Sequence, residues 1–330
     1  MTLYFKKNNG IKLPVNHEYY LNKILSPTSI GTNYWDSPPP SSLDDSQKTR
    51  ILLQLHQLID LLISNNINFT EKKFLDIGTG NGLVPRLFLE MTDISYSVGI
   101  DPYLDGEHST SWQQHDRDKT FSEIIELLKK SNDELDFDNY SKFNKKESYA
   151  LKPAKYKIPN GLKSKKYKFE QIGAHELSKI NEKFDIIYCK AIEHIPDWDT
   201  VFNEVSKVIN DDGVFYLKHR SFFSYLGAHR YSSTDIPWGH VLLSDEEFKT
   251  YAQTFHQNRA EEMINFFFNG LAYPRHSISE MIEIGMKYNL SLKSLRYEPT
   301  KKLPQLIKFT NDIPNFFEII HDNYPKLSLE

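Results

Sequence analysis

The stretch FLDIGTGNGLVPRLFLE, from Phe74 to Glu90, constrains the fold of this chain more than any other part of its sequence. A short apolar run ends at Asp76, glycine then occupies every second position, and apolar residues at helical spacing follow. Glycine tolerates positive φ angles and lets the backbone approach a ligand closely, which a side chain would prevent. We therefore predict a strand, a tight turn and a helix, with the turn at the carboxyl edge of a sheet, where ligands bind.

Short apolar runs and amphipathic patterns alternate on both sides of this turn. Strands are predicted at residues 72–78, 96–101, 168–174, 184–190, 214–219 and 290–297, and helices at 45–64, 81–91 and 199–210. Ser277 and Glu280 form a capping-box pattern that opens a further helix. The alternation predicts an α/β fold with a Rossmann-like, doubly wound, mostly parallel seven-stranded sheet and helices on both faces.

Charge and composition exclude several classes of protein. The formal net charge of −4 argues against a general nucleic-acid-binding surface. The single cysteine, Cys189, excludes an internal disulfide framework and a multi-cysteine zinc site. The N-terminus lacks the apolar core of a signal peptide, and no stretch approaches the roughly 18 apolar residues of a membrane span. We therefore expect a cytoplasmic protein without a membrane partner.

An acidic residue ends the second predicted strand of the sheet. Asp101 comes nineteen residues after Gly82, and an acid at this place can accept hydrogen bonds from both hydroxyls of a ribose. A nucleoside should therefore lie across the glycine turn. The fingerprint of dinucleotide-binding proteins would need glycine at position 83, where Leu83 stands, and this disfavours NAD as the ligand.

LDIGTGNG and VGIDPY resemble the first two motifs of the class I S-adenosylmethionine-dependent methyltransferases. Residues 184–219 resemble the fourth strand, the following helix and the fifth strand of that family. The resemblance implies S-adenosyl-L-methionine as the cofactor, with the turn around its methionine part, Asp101 on the ribose and Pro102 on the adenine side. Ala174 stands where the family often has an aspartate that contacts adenine. The predicted cofactor-binding residues are Asp76, Gly78, Thr79, Gly80, Asn81, Gly82, Asp101, Pro102, Ala174, His175 and Lys190.

The resemblance and the changes in composition divide the chain into predicted parts. Residues 45–102 and 167–218 form the Rossmann-like cofactor-binding core, which follows an N-terminal segment at 1–44. A polar insertion occupies 103–166 and contains a helical pattern at Phe121, Ile124, Ile125 and Leu128. The least regular stretch, 219–276, contains FFSYLGAHRY and PWGHVLL and resembles a substrate lid segment of bacterial small-molecule or sugar methyltransferases. Residues 277–330 should complete the sheet.

The chemistry of methyl transfer suggests where an acceptor would bind. A hydroxyl must lose its proton as it attacks, and histidine is the side chain best suited to take that proton near neutral pH. His229 is our first candidate for this base and His219 the second, with His240 and His194 as further candidates. Arg220, Arg230 and Trp238 stand beside these histidines and offer an anion clamp and a stacking face.

A metal is a rival use of these residues, and we do not predict one. The segment IEHI resembles part of the metal-binding stretch of ubiquinone-pathway O-methyltransferases, but Lys190 replaces an acid of that stretch. Glu193 with Asp197 or Asp199 remains the alternative ligand set.

The sequence thus favours methyl transfer to a hydroxyl or amine of a small acceptor, with an anionic acceptor as one option. One alternative is an RNA methyltransferase that uses 103–166 as a basic arm. Against it, CKAIEH replaces the Asn/Asp-Pro-Pro-aromatic motif of base amino-methylation. Another alternative is a protein that binds the cofactor without transferring methyl. A homodimer is one option for the oligomeric state.

Overall fold

The computed structural model describes residues 3–15, 45–80, 82–102, 119, 121–126, 166–227, 234–256, 260–270, 275–297, 303–325 and 327. The chain divides into two compact units. We call Pro39–Ile192 with Asp199–Lys218 the sheet unit, and Met1–Pro38, Glu193–Trp198 and His219–Glu330 the helical unit.

The described strands are β1 (Leu3–Lys6), β2 (Lys12–Val15), β3 (Lys73–Ile77), β4 (Tyr96–Ile100), β5 (Lys166–Glu170), β6 (Phe184–Cys189) and β7 (Ile209–Leu217). The α-helices are α1 (Asp45–Ser64), α2 (Leu83–Met91), α3 (Trp198–Val208), α4 (Gly239–Leu242), α5 (Asp245–His256), α6 (Ala260–Asn265), α7 (Ile278–Lys287), α8 (Leu303–Asp312) and α9 (Phe316–Asn323). Short 3₁₀ turns cover Ala174–Ile180 and Ile192–His194, and a π turn covers Phe266–Gly270.

In its described residues, the sheet unit contains five parallel strands in the order β5-β4-β3-β6-β7. The chain runs outward from β3 through β4 to β5 and then returns to the other side of β3 with β6 and β7. The carboxyl ends of β3 and β6 therefore form the switch point at which open α/β sheets bind ligands. The Rossmann-like α/β fold predicted from the sequence is confirmed.

The predicted apolar faces form the core of this unit. On α1, Leu55, Leu58 and Leu62 are fully buried and pack in one cluster with Phe74 of β3 and Phe88 of α2. The helical spacing of these leucines puts them on one face, and covering that face against the sheet supplies the hydrophobic stabilisation of the helix.

The predicted strand at 290–297 is wrong. Residues 290–297 form neither helix nor strand, and Leu292 and Tyr297 leave 53% and 70% of their surface exposed. The alternation of apolar residues in LSLKSLRY suggested a half-buried strand, but the structure buries neither of these side chains. The described part of the sheet therefore has five strands rather than seven, and β1 with β2 forms a separate antiparallel pair.

The strand β7 begins earlier than predicted, at Ile209 rather than at 214. Its pairing with β6 shifts register between Phe184 and Ile186, so residues 210–213 form an irregularity inside the strand. A Cβ on Gly213 would lie 2.6 Å from Cγ1 of Ile209, and this crowding explains glycine at the irregularity.

Part of the predicted insertion belongs to the core. Residues 121–126 are helical, as the pattern of Phe121, Ile124 and Ile125 predicts, and Ile124 is fully buried in the cluster of the sheet unit. The guanidinium of Arg86 on α2 lies 4.0 Å from the centre of the Phe121 ring. This helix lies between β4 and β5 in the chain, the place of a crossover helix in a parallel sheet. The other residues of 103–165 lie outside the described part, except Lys119.

The sequence did not predict the hairpin of β1 and β2, which packs in the core of the helical unit. Phe5, Leu13 and Val15 are buried in one cluster with Phe248 and Tyr251 of α5. The ammonium of Lys7 donates hydrogen bonds to the carbonyl of Leu242 and, at 2.6 Å, to Oε2 of Glu247.

The pair of Lys7 and Glu247 is almost fully buried, with 6% of each side chain exposed. Glu247 also accepts hydrogen bonds from the backbone amides of Asn8 at 2.8 Å and Ser244 at 3.0 Å. Burial alone would raise the pKa of Glu247, but the bond from Lys7 and these two amides lower it overall. The pair therefore ties the N-terminal hairpin to the start of α5.

We predict that Lys7→Met destabilises the helical unit by about 3–5 kcal/mol, because it leaves a buried carboxylate without its cation. Lys12→Met, at an exposed position of β2, is the matched control and should change stability by less than about 0.5 kcal/mol. Urea unfolding measures both. Equal effects of the two substitutions would show that the buried pair does not hold the hairpin.

Candidate functional site

The glycine turn after β3 has the backbone geometry that the sequence predicts. Gly78, Gly80 and Gly82 have φ angles of 70°, 57° and 72°, all in the left-handed region. The amides of Gly78 and Thr79 donate to the carbonyl of Ile100, at 3.0 and 2.9 Å. The turn is thus fixed against the end of β4.

The three glycines have different surroundings. A Cβ on Gly78 would lie 2.7 Å from Cβ of Ala191, and one on Gly82 would lie 2.2 Å from the hydroxyl oxygen of Tyr167. A Cβ on Gly80 would meet no described atom within 4 Å. Packing therefore requires glycine at 78 and 82, whereas Gly80 faces open space in which a ligand could contact the backbone.

Asp101 is oriented towards this turn. Its side chain is buried, with the residue 6% exposed, and its Oδ2 accepts a hydrogen bond from the amide of Gly80 at 2.9 Å. The open space at Gly80 and an acid beside it fit the ribose and amino-acid parts of S-adenosylmethionine.

Asp76 lies at the end of β3, with 3% of its surface exposed. Burial raises the pKa of Asp76 to about 7, and the nearby charge of Asp101 adds to this effect, while the charge of Lys190 opposes it. The carboxyl of Asp76 therefore changes its charge near neutral pH, directly beneath the turn.

Gly99, which the sequence motifs did not single out, pairs with Asp76 in the register of β3 and β4. A Cβ on Gly99 would lie 2.9 Å from Cγ2 of Thr79 and 3.0 Å from Cγ of Pro85. The absence of a side chain thus lets the turn and the first turn of α2 pack on β4. A glycine within the apolar run YSVGI was the available signal.

The other predicted cofactor residues are spread around the carboxyl edge of the sheet unit. Pro102 is exposed after β4, Ala174 is buried at the start of the 3₁₀ turn after β5, and His175 next to it is half-buried. Lys190 is exposed after β6 and donates to Oε1 of Gln54 at 2.8 Å. Asn81 lies outside the described residues.

Helix α1 reaches the ends of β6 and β7, which the sequence did not predict. Besides the bond of Lys190 to Gln54, the ammonium of Lys218 donates to Oε1 of Gln57 at 2.7 Å. The two glutamines are three residues apart on one face of α1, which follows from helical geometry. They fix two lysines at neighbouring strand ends.

In the helical unit, His219 lies against a carboxylate and an indole. Its Nδ1 is 3.9 Å from Oε2 of Glu193, and the ring of Trp198 meets it edge-on, with 5.3 Å between centroids. Within the described part of the chain, neither ring nitrogen of His219 has a hydrogen-bond partner. Arg220 is exposed beside it in the chain, and His194 is half-buried.

His240 and Trp238 contact the segment around Phe222. The Nε2 of His240 bonds to the carbonyl of Phe222, and burial lowers the pKa of His240 to about 4, so the ring is neutral at pH 7. The indole of Trp238 donates to the carbonyl of Phe223 at 3.1 Å. These contacts fit packing inside the helical unit. His229 and Arg230 lie outside the described residues.

The backbone at Gly227 packs closely against the ring of His240. Its φ is 72°, and a Cβ there would lie between 3.2 and 3.3 Å from three atoms of the His240 ring.

Among the described residues, no group of three or more His, Cys, Asp or Glu could hold a metal ion. No described helix is long and apolar enough to cross a bilayer.

Comparison with known proteins places the chain in a family. A family model described as a methyltransferase domain matches residues 49–269, more than half of the chain. The chain belongs to this family, and the predicted class, an S-adenosylmethionine-dependent methyltransferase of class I, is confirmed. No curated protein sequence matches the chain significantly.

Solved structures that match the chain include the cyclopropane synthase MmaA2 of Mycobacterium tuberculosis. The identity is 17%, the match covers 86% of this chain and 81% of that chain, and the TM-score is 0.39. Another is the magnesium protoporphyrin IX methyltransferase of Synechocystis PCC 6803, with 11% identity, coverage of 86% and 92%, and a TM-score of 0.38. The chain spans 45% of a structure from Galdieria sulphuraria and 52% of PKMT2 from Rickettsia typhi.

Replacing Asp76 should change how stability depends on pH. Because the folded state raises this pKa, the native carboxyl binds its proton more tightly than the unfolded one between pH 3.8 and about 7. Its burial therefore lowers stability as pH rises through this window. Asp76→Asn should gain stability over the wild type from pH 4 to 8, by at most about 4 kcal/mol.

Urea unfolding at several pH values measures this difference. Asp212→Asn, at an exposed position of β7, is the control and should give a difference that stays nearly constant with pH. A constant difference for Asp76→Asn as well would refute the account of a buried, protonated carboxyl.

Proposed function

We propose that this protein transfers a methyl group from S-adenosyl-L-methionine to an oxygen or nitrogen of a small acceptor by in-line displacement. The observation that carries the proposal is the turn of three left-handed glycines, with open space at Gly80 and the carboxylate of Asp101 beside it. When bound, the cofactor supplies an electrophilic methyl group on a sulfonium.

The sheet unit is the proposed cofactor domain. Gly80 and its neighbours in the turn would contact the methionine part, and Asp101 would exchange its bond with the Gly80 amide for bonds with the ribose hydroxyls. Pro102 and Ala174 would border the adenine. Asp76 is buried beneath the turn and would favour a cationic ligand when ionised.

The helical unit is the proposed source of acceptor-binding groups, among them Arg220, Arg230 and Trp238. Of the four candidate bases, His219 is supported best, because neither of its ring nitrogens bonds to a described residue while the ring lies beside a carboxylate. His240 is less suited, since Nε2 bonds to Phe222. His194 and His229 remain candidates.

We propose a small molecule rather than RNA as the acceptor. We propose the cytoplasm as the location of the protein. The net charge of −4 and the presence of CKAIEH in place of a base-methylation motif support the small acceptor. The single cysteine, Cys189, fits a reducing compartment such as the cytoplasm. A screen of sugar, catechol, amino-acid and RNA acceptors separates the possibilities. Turnover of RNA alone would contradict the proposal, and so would cofactor binding without any turnover.

Gly80→Ala should weaken binding of S-adenosylhomocysteine at least tenfold, since the added methyl enters the proposed ligand space and strains a left-handed residue by about 1–2 kcal/mol. Gly10→Ala is a close control, because Gly10 also has a positive φ of 88° and no described atom within 4 Å of a Cβ. It lies in the hairpin of the helical unit.

Isothermal titration calorimetry measures both variants. The control should lose similar stability and keep the wild-type dissociation constant. Unchanged binding by Gly80→Ala, or equal weakening by Gly10→Ala, would contradict the proposed site.

His219→Asn should lower kcat about 10²–10⁴-fold for a hydroxyl acceptor found in the screen, because a general base contributes that much. Its affinity for S-adenosylhomocysteine should stay within about twofold, since the change removes no proposed cofactor contact. His321→Asn on α9, an exposed position, is the control. Full activity of His219→Asn would show that His219 is not the base.

A further inference from the structure

In the helical unit, three buried polar atoms lie together without a hydrogen bond to any described residue: Nδ1 and Nε2 of His219 and Oε2 of Glu193. Nearly all buried polar atoms in proteins have partners, so each exception needs an explanation. Only 9% of the His219 side chain and 14% of the Glu193 side chain are exposed, so water at the surface does not explain them.

The two side chains face each other closely. Their separation of 3.9 Å between Nδ1 and Oε2 is about 1 Å longer than a hydrogen bond. Hydrogen bonds between catalytic groups are often long in ligand-free enzymes and shorten in the complex. Glu193 has three rotatable side-chain bonds, so a small torsional change closes the gap.

The surroundings of His219 favour one orientation of its ring. Trp198, which is 1% exposed, packs edge-on against the imidazole and fixes its plane. Among the described residues, the titratable groups near this indole include His276, whose ring centroid is 5.4 Å from that of Trp198, and Glu280, whose Oε1 is 3.5 Å from Nδ1 of His276. The carboxylate at 3.9 Å from Nδ1 of His219 belongs to Glu193.

We propose that Glu193 is a positioning residue for His219, and that the pair acts as the general base for a hydroxyl-bearing acceptor. Oε2 of Glu193 accepts a hydrogen bond from Nδ1–H, so that Nε2 keeps its lone pair for the acceptor, and the carboxylate stabilises the imidazolium that forms. This inference rests on the proposed function and makes it more specific, because a neutral amine can attack without prior loss of a proton.

In the proposed step, the acceptor oxygen forms a bond to the methyl carbon while its O–H bond breaks, and the proton passes to Nε2 of His219. The bond between methyl carbon and sulfur breaks, and its electron pair stays on sulfur. The proton leaves His219 for water after the product departs.

The tautomer of His219 tests the pairing without knowledge of the acceptor. Long-range ¹H–¹⁵N correlation spectra of the full-length protein, with S-adenosylhomocysteine added, report which ring nitrogen carries the proton. The wild type should carry it on Nδ1. Glu193→Leu should lose this preference, and Glu193→Asp should keep part of it.

Glu283→Gln, at an exposed position of α7, is the control and should give the wild-type spectrum. A proton on Nε2 in the wild type, or a spectrum unchanged by Glu193→Leu, would overturn the proposal. If Glu193→Leu does not fold, Glu193→Gln replaces it, and the same comparison is made on its kinetics.

Kinetics provide the second readout. With catechol and aniline as paired hydroxyl and amine probes, methylation of catechol should fall about 10–100-fold in kcat for Glu193→Gln, with KM nearly unchanged. Methylation of aniline in preference to catechol would overturn the choice of acceptor class. Calorimetry distinguishes failure of the proposed function from failure of the Glu193–His219 pair. If the wild-type protein binds no S-adenosylhomocysteine, the proposed function is refuted. If it binds and Glu193→Leu leaves the His219 tautomer unaltered, only the role of Glu193 is refuted.

Discussion

The left-handed turn at Gly78, Gly80 and Gly82 is the constraint on which the rest of the site depends. Only glycine adopts such φ angles without strain at successive alternate positions, and the contacts with Ala191 and Tyr167 leave no room for a Cβ at two of them. The turn is therefore held by residues that follow β6 and lie in β5. Its one open position, Gly80, faces the space where a ligand can reach the backbone.

Electrostatics at this turn oppose the stability of the free protein. Asp76 and Asp101 are both buried at neighbouring strand ends, and burial keeps the pKa of Asp76 near neutrality. A folding protein without a ligand gains nothing from two buried carboxyls side by side. Such an arrangement is typical of functional sites, where a ligand with positive charge and hydroxyl groups satisfies the acids.

Local patterns in the sequence predicted the fold of the sheet unit well. The leucines of α1, the apolar runs of β3, β4 and β6 and the capping box at Ser277 depend on neighbours within a few residues, and their bounds agree with the structure closely. The local pattern of LSLKSLRY did not predict its structure correctly, because its alternation is equally compatible with a strand and with an exposed irregular segment. Only packing against the remaining chain decides between them.

The candidate site was predictable where chemistry and spacing coincide, as at Gly80 and Asp101. Long-range partners were not predictable: Lys7 and Glu247 are 240 residues apart, and Gln54 meets Lys190 across 136 residues. The sequence also ranked His229 above His219. Among the described residues, the structure gives His219 a carboxylate neighbour that no local pattern indicated.

The most direct test of the central claim is a crystal structure with S-adenosylhomocysteine bound. The account predicts that both ribose hydroxyls contact the carboxylate of Asp101 and that the amino-acid part lies along the backbone at Gly80. A nucleoside bound elsewhere, or a turn filled by the protein's own side chains in the presence of saturating ligand, would contradict it.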